Sequence, residues 1–267
     1  MAVSLGRREP PADAGPGPRG VAVGLLAMAP LFAAYELGLA YGEKDGPRNV
    51  AELVLGRAFF FLSAHETAVR ITFLAGALLI AFVQVRLAGL PLLRALLRAV
   101  LEGVGFALLL GPLLLLALAL CGVGADEIGL DPRVSGGPVE LARAARAFGA
   151  GAWEELFFRV VLYSALFVLA RGVVAFLGAG ERAGRWLAEG SALLGSAALF
   201  ATFHLDAATR LVGIEGEAFD PSVFLWRAVA GVFLGGLFRW RGPGVAAWSH
   251  GLFNLALILG SGPGVLR

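Results

Sequence analysis

A single cysteine, Cys121, excludes an internal disulfide and a cysteine-ligated zinc site. It lies in an apolar run, where it reads as packing. Lys44 is the only lysine, and no basic block is long enough to grip nucleic acid. The pI near 9.1 therefore reflects arginines placed in loops and near lipid headgroups. Histidine is nearly as scarce: the chain has His65, His204 and His250. Any chemistry that needs imidazole must draw on these. Charge of either sign is also thin. Charged residues make up 16% of the chain, against about 25% in a soluble domain.

What fills the space is apolar. The chain is 58% hydrophobic with a mean hydropathy of +0.79. The apolar residues form long runs rather than alternating, which favours membrane helices over a β-barrel. The expected fold is all-α, a polytopic transmembrane helix bundle of about seven spans (six to eight). The expected spans are Val21–Tyr41, Ala68–Val85, Val104–Val123, Ala152–Leu177, Gly190–Leu205, Val223–Trp240 and Gly244–Gly260. Ala51–Leu62 is too short to span and reads as an interfacial or re-entrant helix. Leu141–Phe148, with arginines at helical spacing, is expected on the surface just before the fourth span.

Residues 1–20 are rich in Pro, Gly, Arg and Ala and read as a disordered tail. Arg7 and Arg8 are followed by Glu9, Pro10 and Pro11 rather than an apolar region, unlike a twin-arginine signal. The run after the tail is long enough to span, unlike a cleaved signal peptide. Residues 21–267 then form a single transmembrane domain. A slight excess of arginine favours an N-terminus inside. The expected location is the cell membrane, as a multi-pass protein.

Ionisable residues inside spans cost about 2.5–3.5 kcal/mol at a helix centre, so each needs a reason. The fourth span opens on GAWEELFFR. Glu155 and Arg159 are four apart and can pair on one helix face, while Glu154 points about 100° away. A helix cap would account for one carboxylate. Two carboxylates and a deeper arginine exceed what a cap needs. His204 closes the fifth span in LFATFHLD. His250 and Asn254 share a face of the seventh span in SHGLFN. The fourth span starts on the side where the fifth ends, so Glu154 and His204 are expected at similar depth, with Asn254 nearer to them than His250. Glu36, Glu102 and Arg227 read as single charges without same-face partners, structural or pore-lining. His65 reads as a solvated loop residue.

These residues are familiar as a set. EELFFR (Glu154–Arg159) resembles the EExxxR motif of the CPBP family of intramembrane proteases, which includes type II CAAX prenyl endopeptidases and bacteriocin-processing relatives. FATFH (Phe200–His204) is similar to the family's second motif, and HGLFN (His250–Asn254) to its third. The three occur in the family's order within residues 141–260. Val160 departs from the glycine that many members carry after the arginine.

The resemblance implies an intramembrane endopeptidase acting on a membrane-tethered, lipidated or C-terminally tagged peptide. Glu154 would activate water with help from His204. His250 and Asn254 would stabilise the oxyanion. Glu155 and Arg159 would give structural support. A covalent serine route has little support, although Ser249 precedes His250. No cofactor is required by this reading. A divalent metal such as zinc stays open, but no HExxH pair exists and Glu155 is better matched to Arg159. The alternative is a non-catalytic membrane binding or immunity protein of the same fold. A transporter would call for two related halves with broken spans, and the sequence has no such symmetry.

Overall fold

The computed structural model describes residues 18–41, 48–58, 66–124, 141–213 and 216–260. The elements are helical: α1 Pro18–Tyr41, α2 Val50–Ala58, α3 Glu66–Leu87 and α4 Leu92–Leu120 come first. A continuous helix follows, α5 Leu141–Phe176. The chain ends with α6 Glu181–Thr202, α7 Pro221–Arg241 and α8 Pro243–Gly260. The α1 helix begins at Pro18, inside the last residues of the expected tail. The rest of that tail, Lys44 and His65 lie outside the described residues.

Each expected span falls on a helix. Among the described residues, five helices (in α1, α3, α4, α5 and α7) are long and apolar enough to cross a membrane, and α8 is a shorter apolar helix. The expected fifth span, Gly190–Leu205, is corrected by α6. That helix starts at Glu181 and carries Arg182, Arg185 and Glu189 in its first half, and it ends at Thr202. Its charged half keeps it out of the five.

Side chains are distributed as lipid, not water, would sort them. Leu79, Ile80 and Leu108 point outward from α3 and α4 and are 61–73% exposed, while Glu52, Glu155 and Arg159 are at most 1% exposed. A bilayer rewards an apolar outer surface and forces ionisable groups inward.

Close packing comes from small residues. Ala188, Ala192 and Ala201 of α6 and Ala246 and Ala247 of α8 are completely buried. Lipid tails are as apolar as leucine, so helices associate in membranes by such close approach. One of these close approaches lies beside the motif residues. A Cβ on Gly151 of α5 would lie 2.5 Å from the Ala247 carbonyl oxygen and 2.8 Å from the Gly251 nitrogen of α8. Only glycine permits this crossing, and it sets α5 directly against the turn of α8 that carries His250.

Three further expectations change. Leu141–Phe148 does not lie on the surface. It forms the first turns of α5, with Ala142, Ala145 and Ala147 buried, and Ala145 packs against Gly38 of α1. Cys121 is exposed at the end of α4, not packed inside. Glu36, Glu102 and Arg227 are not single charges. Glu102 accepts from Arg98 Nε at 2.7 Å and from Arg241 Nε at 2.7 Å. Glu36 lies 3.3 Å from Arg70, and Arg227 pairs with Glu217. Two of these pairings, Glu102 with Arg241 and Glu36 with Arg70, run between helices and escape a helical-wheel reading of one segment, whereas Arg98 and Glu102 are four apart on α4.

Gly151→Val should lower the thermal unfolding midpoint of the protein in detergent, by the equivalent of about 1–3 kcal/mol for overpacking. Gly76→Val is the control, because nothing lies within 4 Å of a Cβ there. Equal midpoints for the two variants would contradict the close crossing.

Candidate active site

The motif-bearing turns of α5 are wound more widely than an α-helix. Ala150–Glu154 and Leu156–Tyr163 make i→i+5 turns, joined through Glu155 in ordinary helical conformation. Wide turns of this kind are frequent at functional sites. Trp153, Glu154 and Glu155 are consecutive, and all three are buried.

Glu155 is the junction. Its Oε2 lies 3.2 Å from Arg159 Nε, with both side chains fully buried. Its Oε1 lies 3.0 Å from His250 Nδ1. A carboxylate can only accept, so His250 Nδ1 carries the hydrogen. Among the described residues, no nitrogen of the Arg159 guanidinium has a partner in hydrogen-bond geometry. It is held by the charge of Glu155 and by the Phe200 ring, whose centroid is 5.1 Å from its central carbon.

Glu154 occupies the neighbouring position. Its Oε2 lies 3.8 Å from His250 Nε2, and its Oε1 accepts a hydrogen bond from Asn49 Nδ2 at 2.7 Å. His250 thus stands between the two glutamates, one nitrogen toward each. Trp248 fixes this part of α8 by donating to the Ala27 carbonyl of α1 at 2.7 Å.

His204 lies just past the end of α6. Its Nδ1 is 2.8 Å from the Phe200 carbonyl oxygen. That oxygen can only accept, so Nδ1 carries the hydrogen and Nε2 keeps a lone pair when the ring is neutral. The turn is pinned in place: the His204 carbonyl accepts from Glu217 N at 3.0 Å, and Asp206 N donates back to the Glu217 carbonyl at 2.8 Å. Phe200 joins the two imidazoles, with ring centroids 5.0 Å from His204 and 5.8 Å from His250.

The structure therefore gathers Glu154, Glu155, Arg159 and His250 by direct contact, and His204 through Phe200. Asn254 is half-buried one turn beyond His250. It makes no side-chain hydrogen bond among the described residues. Two participants escape the sequence reading: Phe200, which lies inside a motif without an assigned role, and Asn49. The signal for Asn49 is faint. It precedes the helical VAEL, with Glu52 three residues on, which is the pattern of a helix cap rather than of a site.

Among the described residues no three His, Cys, Asp or Glu side chains are grouped to hold a metal ion. Glu155 is engaged by Arg159 and His250. No step below is routed through a metal.

Residues 141–256 match the family model described as Type II CAAX prenyl endopeptidase Rce1-like. Over this segment the chain is similar to the CAAX protease family. The family implies proteolysis of a membrane-associated prenylated peptide, and the matched segment contains all three motifs. Helices α1 to α4 lie outside it. Neither a search of curated proteins nor a search of solved structures found a match.

Removing one partner of a buried pair leaves an uncompensated charge, at a cost of about 3–5 kcal/mol. Arg159→Met should therefore lower the unfolding midpoint sharply. Arg98→Met, which removes a side chain that is 70% exposed, should change stability by about 1 kcal/mol or less. Similar midpoints for both would contradict the role given to the buried pair.

Proposed function

We propose that this protein is an intramembrane endopeptidase that hydrolyses a peptide bond near the C-terminus of a membrane-tethered, lipidated substrate, using water activated by Glu154. The observation that carries this reading is the paired geometry of Glu154. One of its oxygens is held by Asn49 at 2.7 Å and the other faces His250 Nε2 at 3.8 Å, within a segment that matches a prenyl endopeptidase family.

The chemistry follows from the donors and acceptors present. Glu154 Oε2 takes a proton from water as the water oxygen attacks the scissile carbonyl carbon. His204 Nε2, with its lone pair, assists in orienting that water. The carbonyl oxygen becomes an oxyanion, received by the Asn254 amide and by His250 Nε2–H. With Nδ1–H directed at Glu155, a hydrogen on Nε2 as well makes His250 a donor at both ring nitrogens. Each such donor is worth about 2.7–4 kcal/mol in a dry site. Glu154 then passes its proton to the leaving nitrogen, the oxyanion re-forms the carbonyl as the C–N bond breaks, and a carboxylic acid and an amine depart.

A serine nucleophile is not supported. The Ser249 hydroxyl is fully buried and has no hydrogen-bond partner among the described residues, so no base activates it. Glu155 and Arg159 touch no substrate in this scheme. They hold His250 and the wide turns in place.

The test uses purified protein in liposomes and farnesylated, internally quenched peptides ending in Cys-aliphatic-aliphatic-X. Glu154→Gln should lower kcat by about 10²–10⁴-fold, the range for general acid–base catalysis, with peptide binding unchanged. Cleavage by Glu154→Gln at the wild-type rate would overturn the role of Glu154. Binding without cleavage by the wild type would favour a non-catalytic peptide-binding protein.

A further inference from the structure

We infer that Asn49, from the N-terminal region outside the family match, is a positioning residue for the proteolytic glutamate; the inference rests on the reading of Glu154 as the base. Its carboxamide does two different jobs with its two ends. Asn49 Oδ1 accepts from Ala51 N at 2.9 Å, and the Asn49 backbone carbonyl accepts from Leu53 N at 3.1 Å. That makes Asn49 the N-cap of α2. The other end, Nδ2, donates to Glu154 Oε1 at 2.7 Å. The orientation of the amide is fixed by its partners, because a backbone N–H cannot accept and a carboxylate cannot donate.

A buried network holds the cap itself. The Asn49 backbone N–H donates to Tyr35 Oη at 3.0 Å. Tyr35 in turn donates to Glu52 Oε2 at 2.5 Å. Glu52 accepts from Arg48 at 2.7 Å and is paired with Arg70. Tyr35 is fully buried and Glu52 is 1% exposed. Buried charge of this kind is expensive, and α2 packs directly on the Ala150–Glu154 turn. The network fixes one amide hydrogen against one carboxylate oxygen. With Oε1 restrained, Oε2 is the oxygen left to face His250 and to take the proton from water. A base held in one rotamer contributes to kcat rather than to substrate binding.

The test separates the two ends of the amide. Asn49→Ser keeps a good N-cap, but its hydroxyl is too short to reach Glu154. Asn49→Asp keeps the cap oxygen and the side-chain volume, but sets an acceptor against the carboxylate. In the liposome assay with farnesylated peptide, both should lower kcat by about ten- to a hundred-fold, the loss expected for a hydrogen bond to a charged group. KM should stay within about twofold, and the unfolding midpoint of Asn49→Ser should match the wild type. Asn49→Asp serves as the second variant should the serine protein fail to fold. A wild-type kcat in either folded variant, while Glu154→Gln is inactive, would overturn this inference alone. So would a fall in kcat that merely tracks a fall in the unfolding midpoint. Failure of the wild type to cut, or activity in Glu154→Gln, would remove the underlying reading and this inference with it.

Discussion

Glu155 and Arg159 sit side by side with neither reaching solvent or lipid, and most of the site is arranged around that pair. Arg159 cannot lose its charge in a protein, so Glu155 must keep its own. A charged Glu155 then takes the proton-bearing Nδ1 of His250, which fixes the ring on α8 and turns Nε2 toward Glu154. Phe200 closes the other side of the guanidinium and touches both histidines. The glycine crossing at Gly151 brings the two helices close enough for this contact. In a bilayer such a pair has no water to retreat to, which makes it a rigid reference point for Glu154 and His250 beside it.

The family match ends short of the whole site. Helices α5, α6 and α8 supply the motif residues, while α1, α2 and α3 supply the Tyr35–Glu52–Arg70 network and, through Asn49, a direct hydrogen bond to Glu154. The N-terminal helices are therefore more than an anchor. A second polar cluster, in which Tyr163 and Arg239 converge on Glu189 at 2.8 Å each, ties α5, α6 and α7 together without touching the motif side chains. The bundle thus uses fully buried charge beside the motif residues and half-buried charge to hold helices together elsewhere.

Hydropathy made the helices legible, because long apolar runs have few other solutions in lipid. It failed where charges sit inside a helix. The α4 helix starts at Leu92 rather than at the expected Val104, because Arg94, Arg98 and Glu102 look like a loop until Arg98–Glu102 and Arg241–Glu102 pairing is seen. The same happened at Leu141–Phe148, whose arginines suggested a surface helix although its alanine face is buried. The Glu155–Arg159 pairing follows from simple spacing. The wide turns around Glu154 leave no mark in the sequence, since no proline or insertion announces them. Asn49 lies about a hundred residues from its partner in the chain, and only the fold brings the two together.

Function is tested most directly in cells. Membrane-protein C-termini would be compared by mass spectrometry between cells lacking the gene and supplied with either the wild type or Glu154→Gln. The account predicts a small set of proteins shortened only by the wild type, cut close to a membrane-tethered or lipidated C-terminus. Identical peptide maps from the two, with both proteins folded and equally abundant, would contradict it.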